Sequence, residues 1–357
     1  MTLDALFEMD PYCLKHDEKE KIMFEGLSDL TKHHQEHCSE YAHMIAFHEN
    51  KNWNNTSDIP YIPVRMFKKY ELLSTDRSNI IKTMTSSGTS GQAVSKIFLD
   101  KENTKNQTKA LTSIITSYIG KKRLPLLLLD TEQVKTDRSM FSARGAGIIG
   151  FSTFGRDITY ALDDEMRLDK DKVILFFEKH KDETILMFGY TYMIWQFVIR
   201  ELEKEGIHIP INEAILFHIG GWKKLKDQAV DTAEYNRRVN SVFGGNVRVH
   251  NYYGMAEQLG SVFVECECGH MHCSNFSDVH IRNPMDFTEL SKGQKGLIEL
   301  LSLLPTSYPG HALLTEDEGE ILGEDDCQCG RYGKYFKIHG RIKGAELRGC
   351  SDTYEGH

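Results

Sequence analysis

Short apolar runs alternate with polar-faced stretches through the middle of this chain, and that rhythm predicts its architecture. LPLLLLD at 124 to 130 reads as a buried strand ending at Asp130, and AILFHIGG at 214 to 221 as an apolar run that stops on paired glycines. KVILFFEKH at 172 to 180 and ETILMFGY at 183 to 190 are equally apolar, and each reads as strand or helix. Tyr192 to Lys204 carries apolar positions at helical spacing, with Gly206 placed to cap it. The first fifty residues are rich in helix formers and broken by few glycines, which predicts helices packed around something larger. IPYIPVRMFKKYEL then interrupts, because Pro60 and Pro63 force extended backbone over residues 59 to 64. Buried strands alternating with helices predict an α/β fold, and no repeat, low-complexity segment or Gly/Ser linker marks a domain boundary.

Composition narrows the class. With 357 residues, the chain is long enough for one large or two ordinary domains. Its 40% hydrophobic and 27% charged residues are those of a globular protein, and the aliphatic run Leu126 to Leu129 is far too short to span a bilayer. The N-terminal segment carries acids and no extended apolar stretch, so a cytoplasmic location without a secretory signal is expected. A net charge of −9 with no basic, aromatic-interleaved stripe argues against nucleic acid as a partner and leaves small molecules or proteins. Eight cysteines in such a chain read as thiols, metal ligands or a nucleophile before they read as disulfides.

Three segments carry candidate nucleotide chemistry. In SSGTSG, Ser86, Ser87, Thr89 and Ser90 offer hydroxyl donors, while Gly88 and Gly91 let backbone N–H groups turn toward an anion. The same composition suits an ordinary surface turn, and the Walker A spacing fails because no Gly-Lys pair follows. In HIGGWKK, Gly220 and Gly221 follow an apolar strand, where a flat ring could lie against bare backbone. In HNYYGMAEQLGS, Tyr253 could stack on a base, Gly254 make a turn and Glu257 hold Mg²⁺ through its oxygen, or the segment is a strand and turn with a solvated glutamate.

The cysteines divide into clusters and singles. Cys266, His272, Cys327 and Cys329 could close a tetrahedral Zn²⁺ site, with Cys268, His270 and Cys273 as alternative ligands, or the thiols are free. Such a site would staple two segments about sixty residues apart, a structural role. His33 and His37 lie one helical turn apart in HHQEH but lack the H-E-x-x-H order, and a solvated helix face is the expected reading. Cys350 stands near the end of the chain, where a thiol could reach away from whatever positions it.

The order SSGTSG, GGW, YYGMAEQ, then TED at 315 to 317 and HGR at 339 to 341, resembles the acyl-adenylate-forming enzymes. GEDDCQCGRYGKYFKIHGRIKGAELRGCSDTYE, with IPYIPVRMFKKYEL and YYGMAEQLGSVFVEC, is similar more narrowly to the acyl-protein synthetases of bacterial bioluminescence operons, across essentially the whole chain. The resemblance implies a large adenylate-forming α/β domain of mixed sheets flanked by helices. It also implies a two-stage reaction, in which a fatty acid is activated by ATP as acyl-AMP and captured as a thioester on Cys350. Ser86 to Gly91 would hold the phosphates, Tyr253 would pack on adenine or position the α-phosphate, and Glu257 would carry Mg²⁺. Asp317 with Arg341 would fix the ribose. The acyl group would pass to an NADPH-dependent acyl reductase.

The chain departs from the broader pattern after Gly340. Most adenylate-forming enzymes continue for about a hundred residues into a lid domain, whereas this sequence stops seventeen residues on, and Gly340-Arg341-Ile342-Lys343 replaces the usual Gly-Arg-x-Asp. The expectation is a core over 1–338 and a mobile C-terminal segment over 339–357 in place of a full lid. Arg341, Lys343 and Arg348 would favour a Cys350 thiolate, offset by Glu346 and Asp352. A ligase of the phenylacetate–coenzyme A type and a non-catalytic zinc scaffold remain as alternatives.

Overall fold

A computed structural model of the chain describes residues 1–46, 52–86, 94–135, 143–222 and 228–342. These fall into two compact units, the first built from the N-terminal region to Tyr118 together with Tyr253 onward, the second from Ile119–Tyr252.

The second unit is a parallel α/β layer. Its strands run in the order Val247–Tyr253, Glu213–Ile219, Thr184–Tyr190, Leu124–Thr131 and Gly155–Leu162, all parallel. Each central strand is buried along its length except at terminal residues, which is why the sequence shows unbroken apolar runs instead of alternation. KVILFFEKH resolves as helix, within Lys170–Lys179. Asp169 caps that helix through the Lys172 N–H, and Val173, Phe176 and Phe177 turn inward while Leu175 faces solvent. The expected helix from Tyr192 to Lys204 forms as Thr191–Met193, a π-helical Ile194–Ile199 and Arg200–Lys204. It ends as the glycine predicts: Gly206 has φ of 66°, and the Ile207 N–H reaches back to the Leu202 carbonyl at 2.9 Å.

The first unit is mainly antiparallel. Ser277–Arg282, Gly296–Ser302, Ala312–Glu324, Lys334–Arg341, Met271–His272 and Phe263–Glu265 are neighbours in that order, and the two-residue strand Ile62–Pro63 joins Ala312–Glu324 in parallel. The extended backbone required by Pro60 and Pro63 is therefore a strand edge. The helices Leu3–Phe7, His16–His37 and Ser39–Ile45 realise the helix-rich N-terminal region. A separate antiparallel pair, Ile80–Thr85 with Lys96–Asp100, flanks the Ser/Thr/Gly segment in sequence. The expected division after residue 338 falls inside the strand Lys334–Arg341.

Candidate functional site

The flanks of the Ser/Thr/Gly segment are bonded to each other. Ser86 and Ser95 face each other: the Ser86 N–H donates to the Ser95 carbonyl at 3.1 Å, and the Ser95 N–H donates to Ser86 Oγ at 2.9 Å. Ser86 is buried in this role, closing the loop with its hydroxyl. Ser87, Gly88, Thr89, Ser90 and Gly91, the rest of the candidate phosphate loop, lie outside the described residues, as does Cys350.

Three of the candidate residues meet on one carboxylate. Asp317 and Arg341 are direct cross-strand partners in the pair Ala312–Glu324 and Lys334–Arg341. Arg341 Nε lies 3.6 Å from Asp317 Oδ1. Tyr253, at the end of its strand, donates its hydroxyl to Asp317 Oδ2 at 2.6 Å. The Asp317 backbone is held in turn by its N–H donating to Thr315 Oγ1 at 3.1 Å. Shielding from water, and then the Asp317 charge, push the Tyr253 phenol well above its usual range, so it stays a donor. The ring reaches this carboxylate through its hydroxyl while its face packs toward Phe263, with centroids 6.2 Å apart.

The sequence did not single out the residues that hold Arg341. Glu316 is buried, with Arg65 Nη2 at 2.9 Å and Arg341 Nη1 at 3.8 Å from its two oxygens. Two arginines thus share one carboxylate, and the pair Arg65 and Glu316, 251 residues apart, leaves no local signal.

Glu257 sits on the short 3₁₀ turn Ala256–Gln258, almost fully buried. The turn is pinned by Gln258, whose amide donates to the Leu300 and Gly310 carbonyls at 3.0 and 2.8 Å. Gly310 is required there, since a Cβ would stand 2.7 Å from the Glu257 carbonyl oxygen. Gly254, three residues before Glu257, packs against Val262. Glu257 is therefore not the solvated glutamate of the alternative reading.

The paired glycines belong to the second unit. Gly220 has φ of 85°, a left-handed backbone suited to glycine, and its carbonyl accepts from Thr191 Oγ1 at 2.6 Å. Among the described residues, no atom outside its chain neighbours lies within 4 Å of where a Gly221 Cβ would stand. His218 Nδ1 is 2.8 Å from the same Thr191 hydroxyl, and burial pushes this imidazole down to about 3.

The cysteine and histidine candidates assemble in the first unit. Ligand atoms of Cys266, His272, Cys327 and Cys329 all lie within 4.8 Å of one another. A tetrahedral zinc with Zn–S near 2.3 Å and Zn–N near 2.0 Å sets sulfur atoms about 3.8 Å apart and sulfur from nitrogen about 3.5 Å. Cys266 and Cys327 sulfurs are 3.9 Å apart, and Cys329 Sγ is 3.3 Å from His272 Nε2. The donor set and its spacing fit that ion. Of the alternatives, Cys268 is exposed and Cys273 is buried near Lys19, whose Nζ donates to its carbonyl, while His270 Nδ1 stands 3.4 Å from Cys327 Sγ. The histidines of HHQEH bind the fold instead: His33 Nε2 meets the Thr306 carbonyl at 2.9 Å and His37 Nδ1 the His33 carbonyl at 2.7 Å.

Comparison with known proteins extends across this whole arrangement. The family described as acyl-protein synthetase, LuxE, matches residues 2–356. The long-chain-fatty-acid–luciferin-component ligase of Vibrio harveyi is 23% identical over 300 residues, 83% of this chain and 77% of that protein. The ligase of the same name from Photorhabdus luminescens is 38% identical over 89 residues, 25% of this chain and 77% of that sequence. Among solved structures, an open conformation of 2-hydroxyisobutyryl-CoA ligase with 2-HIB-AMP and CoA superposes with a TM-score of 0.70 at 16% identity, covering 94% of this chain and 77% of that one. The likeness is one of fold, a mixed α/β architecture shared with that ligase.

Proposed function

Because the chain belongs to the LuxE acyl-protein synthetase family, we propose that it activates a long-chain fatty acid with ATP and transfers the acyl group to its own Cys350. The enzyme is an ATP-dependent acid–thiol ligase. The fatty carboxylate attacks the α-phosphorus, the bond to pyrophosphate breaks, and acyl-AMP forms. A thiolate then attacks the acyl carbonyl, the bond to AMP breaks, and the thioester remains after the thiol proton has gone to solvent. Its recipient is an NADPH-dependent acyl reductase.

One observation carries the nucleotide part: Tyr253 and Arg341 converge on the Asp317 carboxylate. A carboxylate only accepts hydrogen bonds, so Asp317 suits paired ribose hydroxyls, and Arg341 beside it suits the growing negative charge at the α-phosphate. The Ser86–Gly91 loop supplies N–H and hydroxyl donors to the leaving phosphates. Glu257 is the protein ligand for Mg²⁺, a carboxylate of the kind this ion takes with phosphate oxygens. Bound there, the ion neutralises phosphate charge; positioning by the chain does the remainder. Zinc in the Cys266, His272, Cys327 and Cys329 cluster is a structural ion outside the reaction.

Fatty-acid-dependent exchange of labelled pyrophosphate into ATP tests the first stage. Exchange that requires the acid, with no need of coenzyme A, is expected. Turnover that needs free coenzyme A as acceptor would instead favour the small-molecule ligase and leave Cys350 without a role.

A further inference from the structure

Three thiolates, one neutral imidazole and Zn²⁺ sum to a charge of −1, and here that charge would be buried: Cys266 is 2% exposed, Cys327 7% and His272 0%. A buried net charge is costly unless a fixed countercharge lies beside it. The fold supplies one. Arg331 stands two residues beyond Cys329 and lines one cavity with Cys329, Glu267 and Tyr12. Both Nη atoms of its guanidinium donate to Glu267, at 2.6 and 3.3 Å, between Cys266 and Cys268 on the opposite ligand segment. Its plane lies over the Tyr118 ring at 4.2 Å and near Tyr12 at 5.7 Å, and Tyr12 packs edge-on to His272 at 6.0 Å. The Arg331 side chain is 14% exposed.

We propose that Arg331 is the outer-sphere partner of the zinc centre, compensating its charge and tying its two ligand segments together. The inference rests on the structural-zinc reading above and adds the residue that retains the ion. Arginine is suited to this position because its planar fork grips the Glu267 carboxylate through both Nη atoms while it stacks on Tyr118, where lysine would offer only a point charge. It positions ligands and takes no part in acyl transfer.

The test is zinc content by mass spectrometry and zinc release to excess 4-(2-pyridylazo)resorcinol, measured on the full chain, Arg331→Met, Arg331→Lys and Cys327→Ser. One zinc per chain is expected in the wild type, with release about 10- to 100-fold faster from Arg331→Met, the usual loss when an outer-sphere partner is removed. Arg331→Lys should fall between them, and it carries the test alone if the methionine variant does not fold. Wild-type zinc with wild-type release rates in both arginine variants would overturn the role of Arg331 and leave the metal site standing. A wild type that holds no more zinc than Cys327→Ser after growth in zinc would remove the metal site and this inference with it.

Discussion

The two units bury ionisable groups to different extents. In the second, the core is aromatic and aliphatic: Phe151 stacks on Phe188 with centroids 3.8 Å apart, and Leu127, Leu129, Met187 and Leu216 fill the space between strand and helix. Its buried ion pair, Asp130 with Arg144, is completely enclosed. In the first, charge runs through the interior: Lys19 and Lys334 flank Asp278 at 3.7 and 3.2 Å, Arg282 pairs with Glu299, and Thr31 and Tyr41 bond His311. Tyr253, Glu257, Asp317, Arg341 and the sulfur cluster belong to this unit. Parallel strands covered on both faces are held by packing and tolerate few charges, whereas the antiparallel unit offers polar cross-strand positions on which a nucleotide site can be built.

The largest effect should come from breaking the exception in the apolar unit. Asp130→Ala leaves Arg144 buried without its partner and is expected to cost about 3–5 kcal/mol, read as a lower urea midpoint. Exchange activity per folded molecule should be unchanged. A wild-type midpoint would show that this pair is no part of what holds the unit.

Asp317→Asn should do the reverse. Losing a charge-assisted acceptor is worth about 1.5–3 kcal/mol, so pyrophosphate exchange should fall about 10- to 100-fold while the urea midpoint moves little. A large loss of stability with exchange retained would make Asp317 a structural residue of the antiparallel unit and nothing more.

The smallest effect is a slope with pH. Burial pushes His311 in the first unit and His218 in the second each down to about 3. The unfolded chain therefore takes up protons that the folded chain refuses, and stability is full above about pH 6.5 and lost as pH falls from there toward 3, by about 1.4 kcal/mol per pH unit for each group. His34, stacked on His311 at 4.9 Å and depressed by burial, adds to the slope of the first unit. His311→Gln should flatten the dependence of the urea midpoint between pH 6 and 5; an unaltered slope would place the titration elsewhere.

How much of this was readable in the sequence differs between the units for the same physical reason. Buried parallel strands announce themselves as apolar runs, so Leu124–Thr131 and Glu213–Ile219 were legible, although KVILFFEKH and ETILMFGY were too short to separate helix from strand before packing chose. In the antiparallel unit the partners are distant. Cys266, Cys327 and Cys329 were visible as a spaced set, and choosing His272 over His270 agrees with its place 3.3 Å from Cys329. The hydroxyl of Tyr253 on Asp317, and Glu316 between Arg65 and Arg341, arise from strand register and could not be read locally. The resemblance, not periodicity, pointed to Asp317 and Arg341.

The central claim is self-acylation, and intact mass of the full chain after incubation with ATP, Mg²⁺ and a series of fatty acids tests it most directly, with Cys350→Ser alongside. One acyl group per chain, released by neutral hydroxylamine and absent from the variant, is the predicted result. An adduct that persists in Cys350→Ser, or no adduct in a protein that exchanges pyrophosphate, would contradict it.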